Sequence, residues 1–308
     1  MFRYAFAYIV MTSVGLSACI DTTKLAINST SKVLLRAQPA LKMESDYEMA
    51  ARAIPGSLKT VEGFHVALPE NKRLTRVLAE GYCQYSTAFI EDEWERASFA
   101  KDFEAADYHS ARATKAFVRC MNYGLELLGK KWQTTIFGSM DEFKAVVDAA
   151  KPKHRFAMLW VAIGLASAIN QNKDDIAFVS HLPKAKMLFQ KIIELDKKKM
   201  PKDLAHAALP HVALAMAATA VSPALGGKPE VGKNHFDIAW SITGEKFLLA
   251  RVLFARRYAV MKQDKKLFRE TLIKVLQTDP AIWPEQRLAN EVAHRRARRY
   301  LKMEKEWF

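Results

Sequence analysis

Residues 74–93 read LTRVLAEGYCQYSTAFIEDE. Leu74, Leu78, Tyr82, Tyr85 and Phe89 recur there at intervals of three and four, which puts them on one face of an α-helix and not on alternate sides of a strand. The pattern repeats at Ala113, Phe117, Cys120, Tyr123 and Leu127, and at Phe156, Trp160, Ile163 and Ser167. A weaker set follows at Leu182, Lys186, Phe189, Ile193 and Asp196. Asp46 suits an N-cap, and Pro55 suits the first turn of a further helix. Turn chemistry at 68–71, 151–152, 200–201, 222–229 and 278–284 separates the stripes. The chain has 12 Gly and 11 Pro in 308 residues, too few for many short strands. The expectation is an all-α protein of about ten or eleven helices joined by short links.

Small and aromatic residues also recur in one order on these helices. Ala113, Phe117 and Cys120 give small, aromatic, small at spacings of four and three, and Gly232, Phe236 and Ala239 repeat it. Ala185, Phe189 and Ile192 follow with one larger member. Small residues let two helices approach closely, while the aromatic fills the space to the next pair. Neighbouring matches are about 72 and 47 residues apart, against about 34 in a regular tetratricopeptide array. The expected architecture for 46–308 is an irregular TPR-like α-solenoid of helical hairpins, with a closed bundle as the alternative.

Composition narrows the function classes. Hydrophobic residues make up 50% of the chain, so it folds. The formal charge of +14 is spread along most of the sequence with no nucleic-acid motif, so no nucleic-acid partner is expected. No Gly-rich phosphate loop, Gly-x-Ser-x-Gly elbow or His-Glu-x-x-His motif occurs, and no enzymatic activity or cofactor is expected. Glu62 and His65, and Glu291 and His294, have the Glu-x-x-His spacing of di-iron bundles. The second pair runs into four arginines, so both read as surface residues and no metal is expected.

The chain begins MFRYAFAYIVMTSVGLSAC. Arg3 precedes an apolar stretch too short for a permanent span, and Leu16-Ser17-Ala18-Cys19 resembles a bacterial lipobox. Residues 1–18 therefore read as a lipoprotein signal peptide, with Cys19 lipidated and 19–45 a tether in which Val33, Leu34 and Leu35 form at most a short docking helix. Two or three acyl chains would anchor the protein durably. Ile20 follows the Cys and Asp21 comes one place too late for inner-membrane retention. The expected location is the periplasmic face of the outer membrane, with the inner membrane as the alternative.

Five blocks in order carry a family resemblance: DYEMAARAIPGSLKTVEGF (46–64), residues 74–93, the Gly226-Gly227-Lys228-Pro229 turn leading into HFDIAW (235–240), KFLLARVLFARRYAVMKQDKKLF (246–268) and EQRLANEVAHRRARRYL (285–301). Across 46–306 the chain resembles the T-component lipoproteins of TRAP-type periplasmic transporters, the TatT family. The resemblance implies a tetratricopeptide-like solenoid that self-associates as a homotrimer. It also implies a TRAP-type periplasmic substrate-binding protein as partner and a cleft for a hydrophobic ligand. It offers no catalytic motif.

Candidate site residues follow from the same reading. Tyr82, Tyr85, Phe89, Phe156 and Trp160 either line an apolar ligand cleft or are core between hairpins, and Tyr85 and Trp160 also need hydrogen-bond partners if buried. Cys83 and Cys120 face each other if their helices form a hairpin turning near residue 101; they are then a disulfide or two small core residues. Arg295, Arg296, Arg298, Arg299 and Lys302 form a basic face that either meets an acidic partner or anionic lipid, or is simply solvated. The expected function is a lipid-anchored periplasmic component of TRAP-type uptake. The alternative is a scaffold lipoprotein of envelope assembly without a small-molecule ligand.

Overall fold

A computed structural model describes residues 21–308, so the leader and Cys19 lie outside the described residues. Helices follow one another almost without pause: α1 (Thr22–Lys42), α2 (Tyr47–Ala67), α3 (Lys72–Tyr85), α4 (Glu91–Phe99), α5 (Phe103–Leu128), α6 (Lys130–Thr135), α7 (Met140–Asp148) and α8 (Arg155–Gln171). The second half comprises α9 (Ile176–Val179), α10 (Leu182–Lys198), α11 (Leu204–Ala218), α12 (Pro229–Thr243), α13 (Leu248–Phe254), α14 (Lys265–Gln277), α15 (Arg287–Lys302) and α16 (Glu304–Trp307). No strand occurs among the described residues. Two π-turns, Ser86–Ile90 and Ala255–Ala259, continue α3 into α4 and extend α13.

Local chemistry sets the helix starts. The side chains of Asp46, Asn71, Asp102, Ser139, Asp175, Asp203 and Asp264 each accept a hydrogen bond from a backbone N–H in the first turn of the helix that follows. Pro55 sits inside α2 and does not open a helix. The stretch read as a tether is mostly α1, whose Ile27 and Ser31 are buried. Asn71 holds α1 down by donating from Nδ2 to Asn28 Oδ1 and Ser31 Oγ, both at 3.0 Å. Val33 is exposed, whereas Leu34 and Leu35 pack against the core.

The all-α expectation holds, and each long helix packs on its neighbours along the chain. Ala113, Phe117 and Cys120 on α5, Ala185, Phe189 and Ile192 on α10, and Gly232, Phe236 and Ala239 on α12 are all buried. The weaker α10 stripe is one position out of phase with expectation. Ala185, Leu188, Phe189, Ile192 and Leu195 face the core, and Lys184 is buried where Lys186 was expected. Lys184 Nζ donates to the carbonyls of Ile136 and Gly138 at 2.9 and 2.5 Å, fixing α10 to the turn between α6 and α7.

Helices α5 and α8 pack backbone against backbone. A Cβ placed on Gly164 would lie 2.7 Å from Phe117 O and 2.9 Å from Met121 N, both backbone atoms. Cys83 of α3 and Cys120 of α5 are joined by a disulfide, with Cys120 Sγ 3.3 Å from the Trp160 carbonyl. The bond thus ties two helices over the α8 backbone at the centre of the core.

Gly164→Ala should destabilise the protein by roughly 1–3 kcal/mol, because backbone cannot yield to the added methyl. Gly63→Ala, at an exposed site of α2 with nothing within 4 Å, should instead gain up to about 1 kcal/mol from helix propensity. Urea unfolding of both variants checks the opposite signs. Replacing Cys83 and Cys120 together by Ala should cost about 3–4 kcal/mol, since the closed loop spans a sequence separation of 37. A midpoint unchanged by the double replacement would contradict this.

Candidate functional site

The basic run of α15 does not form one free surface. Asp92 of α4 is fully buried and accepts from Arg295 Nε on one oxygen and Arg299 Nη2 on the other, each at 2.7 Å. Arg299 also donates to Glu95 at 2.5 Å, and Arg296 donates to the Thr87 carbonyl at 2.6 Å within the first π-turn. Tyr300 donates to Glu95 Oε1 at 2.5 Å. Tyr47 OH donates to Asp92 Oδ2 at 3.2 Å, and its ring lies 4.4 Å from the Arg295 guanidinium carbon. Arg295, Arg296 and Arg299 thus clasp the last long helix to α2 and α4, where a partner-facing surface was one expectation. Only Arg298 and Lys302 of the run are exposed. The physical reason is local: EDEWE (91–95) supplies acceptors that the arginines reach only after the chain has folded.

Electrostatics follow burial. Desolvation alone would raise the Asp92 carboxyl, but hydrogen bonds and charge from Arg299, Arg296 and Arg295 outweigh it and hold it below the ordinary value. Glu91 lacks so close a partner, with Arg296 at 3.9 Å and Gln171 at 3.2 Å, and burial pushes it up to about 7. His294 is buried, not at the surface, and its Nε2 lies 2.9 Å from the Thr278 carbonyl. No cluster of three or more metal-ligating groups exists among the described residues.

The five aromatic candidates do not share one cleft. Tyr85 and Phe89 line a cavity of about 130 Å³ with Tyr47, Glu93 and Arg112. Tyr82 is buried and stacks on Tyr123 at 6.0 Å between ring centroids. Phe156 is covered by the Arg76 guanidinium, 3.7 Å above its ring. Trp160 is buried against the His206 ring at 5.3 Å, and its Nε1 has no hydrogen-bond partner among the described residues. Helical spacing alone placed all five together; the π-turn and the crossing of α3 by α8 separate them.

A further polar junction lay outside the sequence reading. Buried Glu80 of α3 accepts from Gln84 at 3.0 Å and pairs with Lys42 of α1 at 2.7 Å and His206 of α11 at 3.1 Å. Burial opposes ionisation here, yet His206 and Lys42 bring the Glu80 carboxyl down to about 2. Lys42 also pairs with Asp203 at 3.2 Å, so a single carboxylate network joins the first helix to α3 and α11.

A family model described as TRAP transporter T-component matches residues 43–308, from the end of α1 to the last residue. The chain belongs to that family. It is a transporter-component family, not an enzyme family. The chain is also similar to an uncharacterized protein of Treponema pallidum (strain Nichols). The two are 21% identical over 259 residues, which cover 83% of this chain and 78% of the relative. The match takes in the clasp and, of the Glu80 junction, Glu80, Asp203 and His206 but not Lys42.

Asp92→Asn should cost about 3–5 kcal/mol at neutral pH, because two arginines lose their shared charge partner in a buried setting. The depressed carboxyl means that its contribution is present above about pH 4 and disappears as pH falls through the lower folded value. The difference between wild type and Asp92→Asn, followed by thermal unfolding, should therefore shrink as the pH is lowered from 7 towards 3.

Proposed function

We propose that the protein is a lipid-anchored periplasmic component of TRAP-type solute uptake, acylated on Cys19 and engaging a TRAP substrate-binding protein. The observation that carries this reading is the family match, which spans 43–308 and so covers nearly every described helix. No described helix is long and apolar enough to cross a membrane, and in this reading the acyl chains on Cys19 supply the attachment. The outer-membrane face is the proposed location, on the strength of Ile20 after the Cys. A homotrimer belongs to the same proposal, as does a hydrophobic ligand.

One observation weighs against the aromatic cleft as the ligand's seat. The cavity beside Tyr85 and Phe89, about 130 Å³, is smaller than the roughly 300–1,000 Å³ of ordinary small-molecule sites. Recognition of a protein partner then carries more of the function than capture of a ligand by these residues. The same observation favours the second reading, a scaffold lipoprotein of envelope assembly without a small-molecule ligand.

Capture from a periplasmic extract distinguishes the two. The folded protein should retain a TRAP-type solute-binding protein. Exchanging the exposed cations of α15, Arg298→Glu with Lys302→Glu, should reduce retention about tenfold, an effect that fades as salt rises. Retention of envelope-assembly proteins and no solute-binding protein would favour the scaffold.

A further inference from the structure

The second π-turn, Ala255–Ala259, carries two adjacent arginines, Arg256 and Arg257. Arg256 and Arg257 line a cleft of about 280 Å³ between this turn and the loop leaving α11, with Thr219, Ser222, Val260 and Gln263 on its walls. Arg256 lies over the Trp307 ring, 4.0 Å from the centroid. Gln263, at φ 53°, donates from Nε2 to the carbonyls of Val260 and Trp307 and fixes that wall. A π-turn adds a residue to the helix and turns side chains out of the regular phase, and such turns concentrate at functional sites.

The arginines of this cleft stand apart from the ion pairs of the clasp. Asp92 and Glu95 are taken by Arg299, and Glu91 is held by Arg296 and Gln171. Neither Arg256 nor Arg257 has a carboxylate within 4.0 Å among the described residues. Lys173 adds to the field: its ammonium is held below its ordinary value by desolvation and then by Arg257 and Arg256. Arg256 is depressed in the same way, by burial first and Arg257 second. Glu91 and Glu95 act on these cations only from beyond contact distance, so three cations share one region with no carboxylate touching Arg256 or Arg257, beside a Ser222 hydroxyl that makes no hydrogen bond to the described residues.

We propose that this cleft binds a small oxyanion, the carboxylate or phosphate group of a small molecule, between the Arg256 and Arg257 guanidiniums and the Ser222 hydroxyl. Guanidinium forks match the paired oxygens of both groups, and partial burial strengthens the attraction relative to open water. Half-buried arginines lacking an internal partner are then explained by a partner that arrives from solution. The site is independent of the transport reading, since it rests on residues that no expected partner surface includes.

Isothermal titration of the purified full-length protein with succinate and, separately, with inorganic phosphate at constant ionic strength tests it. One saturable site is expected for at least one probe. Tighter succinate binding identifies a carboxylate ligand and tighter phosphate binding a phosphate ligand; either supports the proposal. Arg257→Gln should weaken binding about tenfold, while Lys115→Gln, an exposed charge on α5, should leave it unchanged. Ser222→Ala, at an exposed turn that any folding defect of the arginine variant would spare, should weaken binding severalfold. Saturation by neither probe at millimolar concentration overturns the proposal. So does equal weakening by Lys115→Gln and Arg257→Gln, or unchanged binding in both cleft variants.

Discussion

The buried Asp92 carboxylate is the point on which the arrangement of the two chain ends depends. It belongs to α4, yet its ligands come from α15 and α2. A carboxylate with no exposure costs several kcal/mol to desolvate unless every lone pair is used. Here two guanidiniums and a phenol share them. Arg296 and Tyr300 add bonds to Thr87 and Glu95 on either side. A row of neighbour-on-neighbour hairpins has two free ends; this cluster removes them by making the last long helix a neighbour of the first ones.

The helical periodicity, the small-aromatic-small triplets and the Asp46 cap were legible because each depends on residues within one or two turns of one another. The paired cysteines were legible as a choice between two outcomes, since a hairpin near residue 101 brings Cys83 and Cys120 together whichever outcome applies. What the sequence concealed was long-range polar pairing. Arg295, Arg296 and Arg299 look like a solvated stripe when read alone, and EDEWE looks like an ordinary acidic first turn. Their partnership spans a sequence separation of more than 200 residues, which no local pattern encodes.

The same limitation governed the remaining site residues. Lys42, Glu80 and His206 meet from three helices, and none stands in a motif. Lys184 stood outside the expected stripe; it is buried because two backbone carbonyls receive its ammonium. The aromatic set failed in the opposite direction. Spacing grouped Tyr82, Tyr85 and Phe89 correctly on one helix, but the inserted residue of a π-turn and the approach of α8 decide which neighbours each ring meets. Membership of the T-component family rests on a match that runs over residues 43–308, a kind of information that tolerates such local misreadings.

The clasp also has a consequence in time. Contacts between successive hairpins close short loops and can form one after another as chain becomes available, which favours rapid, stepwise folding. The pairing of Arg295 with Asp92 is of another kind, since its two halves are 203 residues apart. It can be made only when nearly the whole polypeptide is present and the intervening hairpins have set its distance. The N-terminal helices therefore spend the early part of folding with the Asp92 carboxylate still open to water, awaiting its counter-charge. Completion of the chain, not formation of the first core, is the event that converts a row of helices into a locked structure.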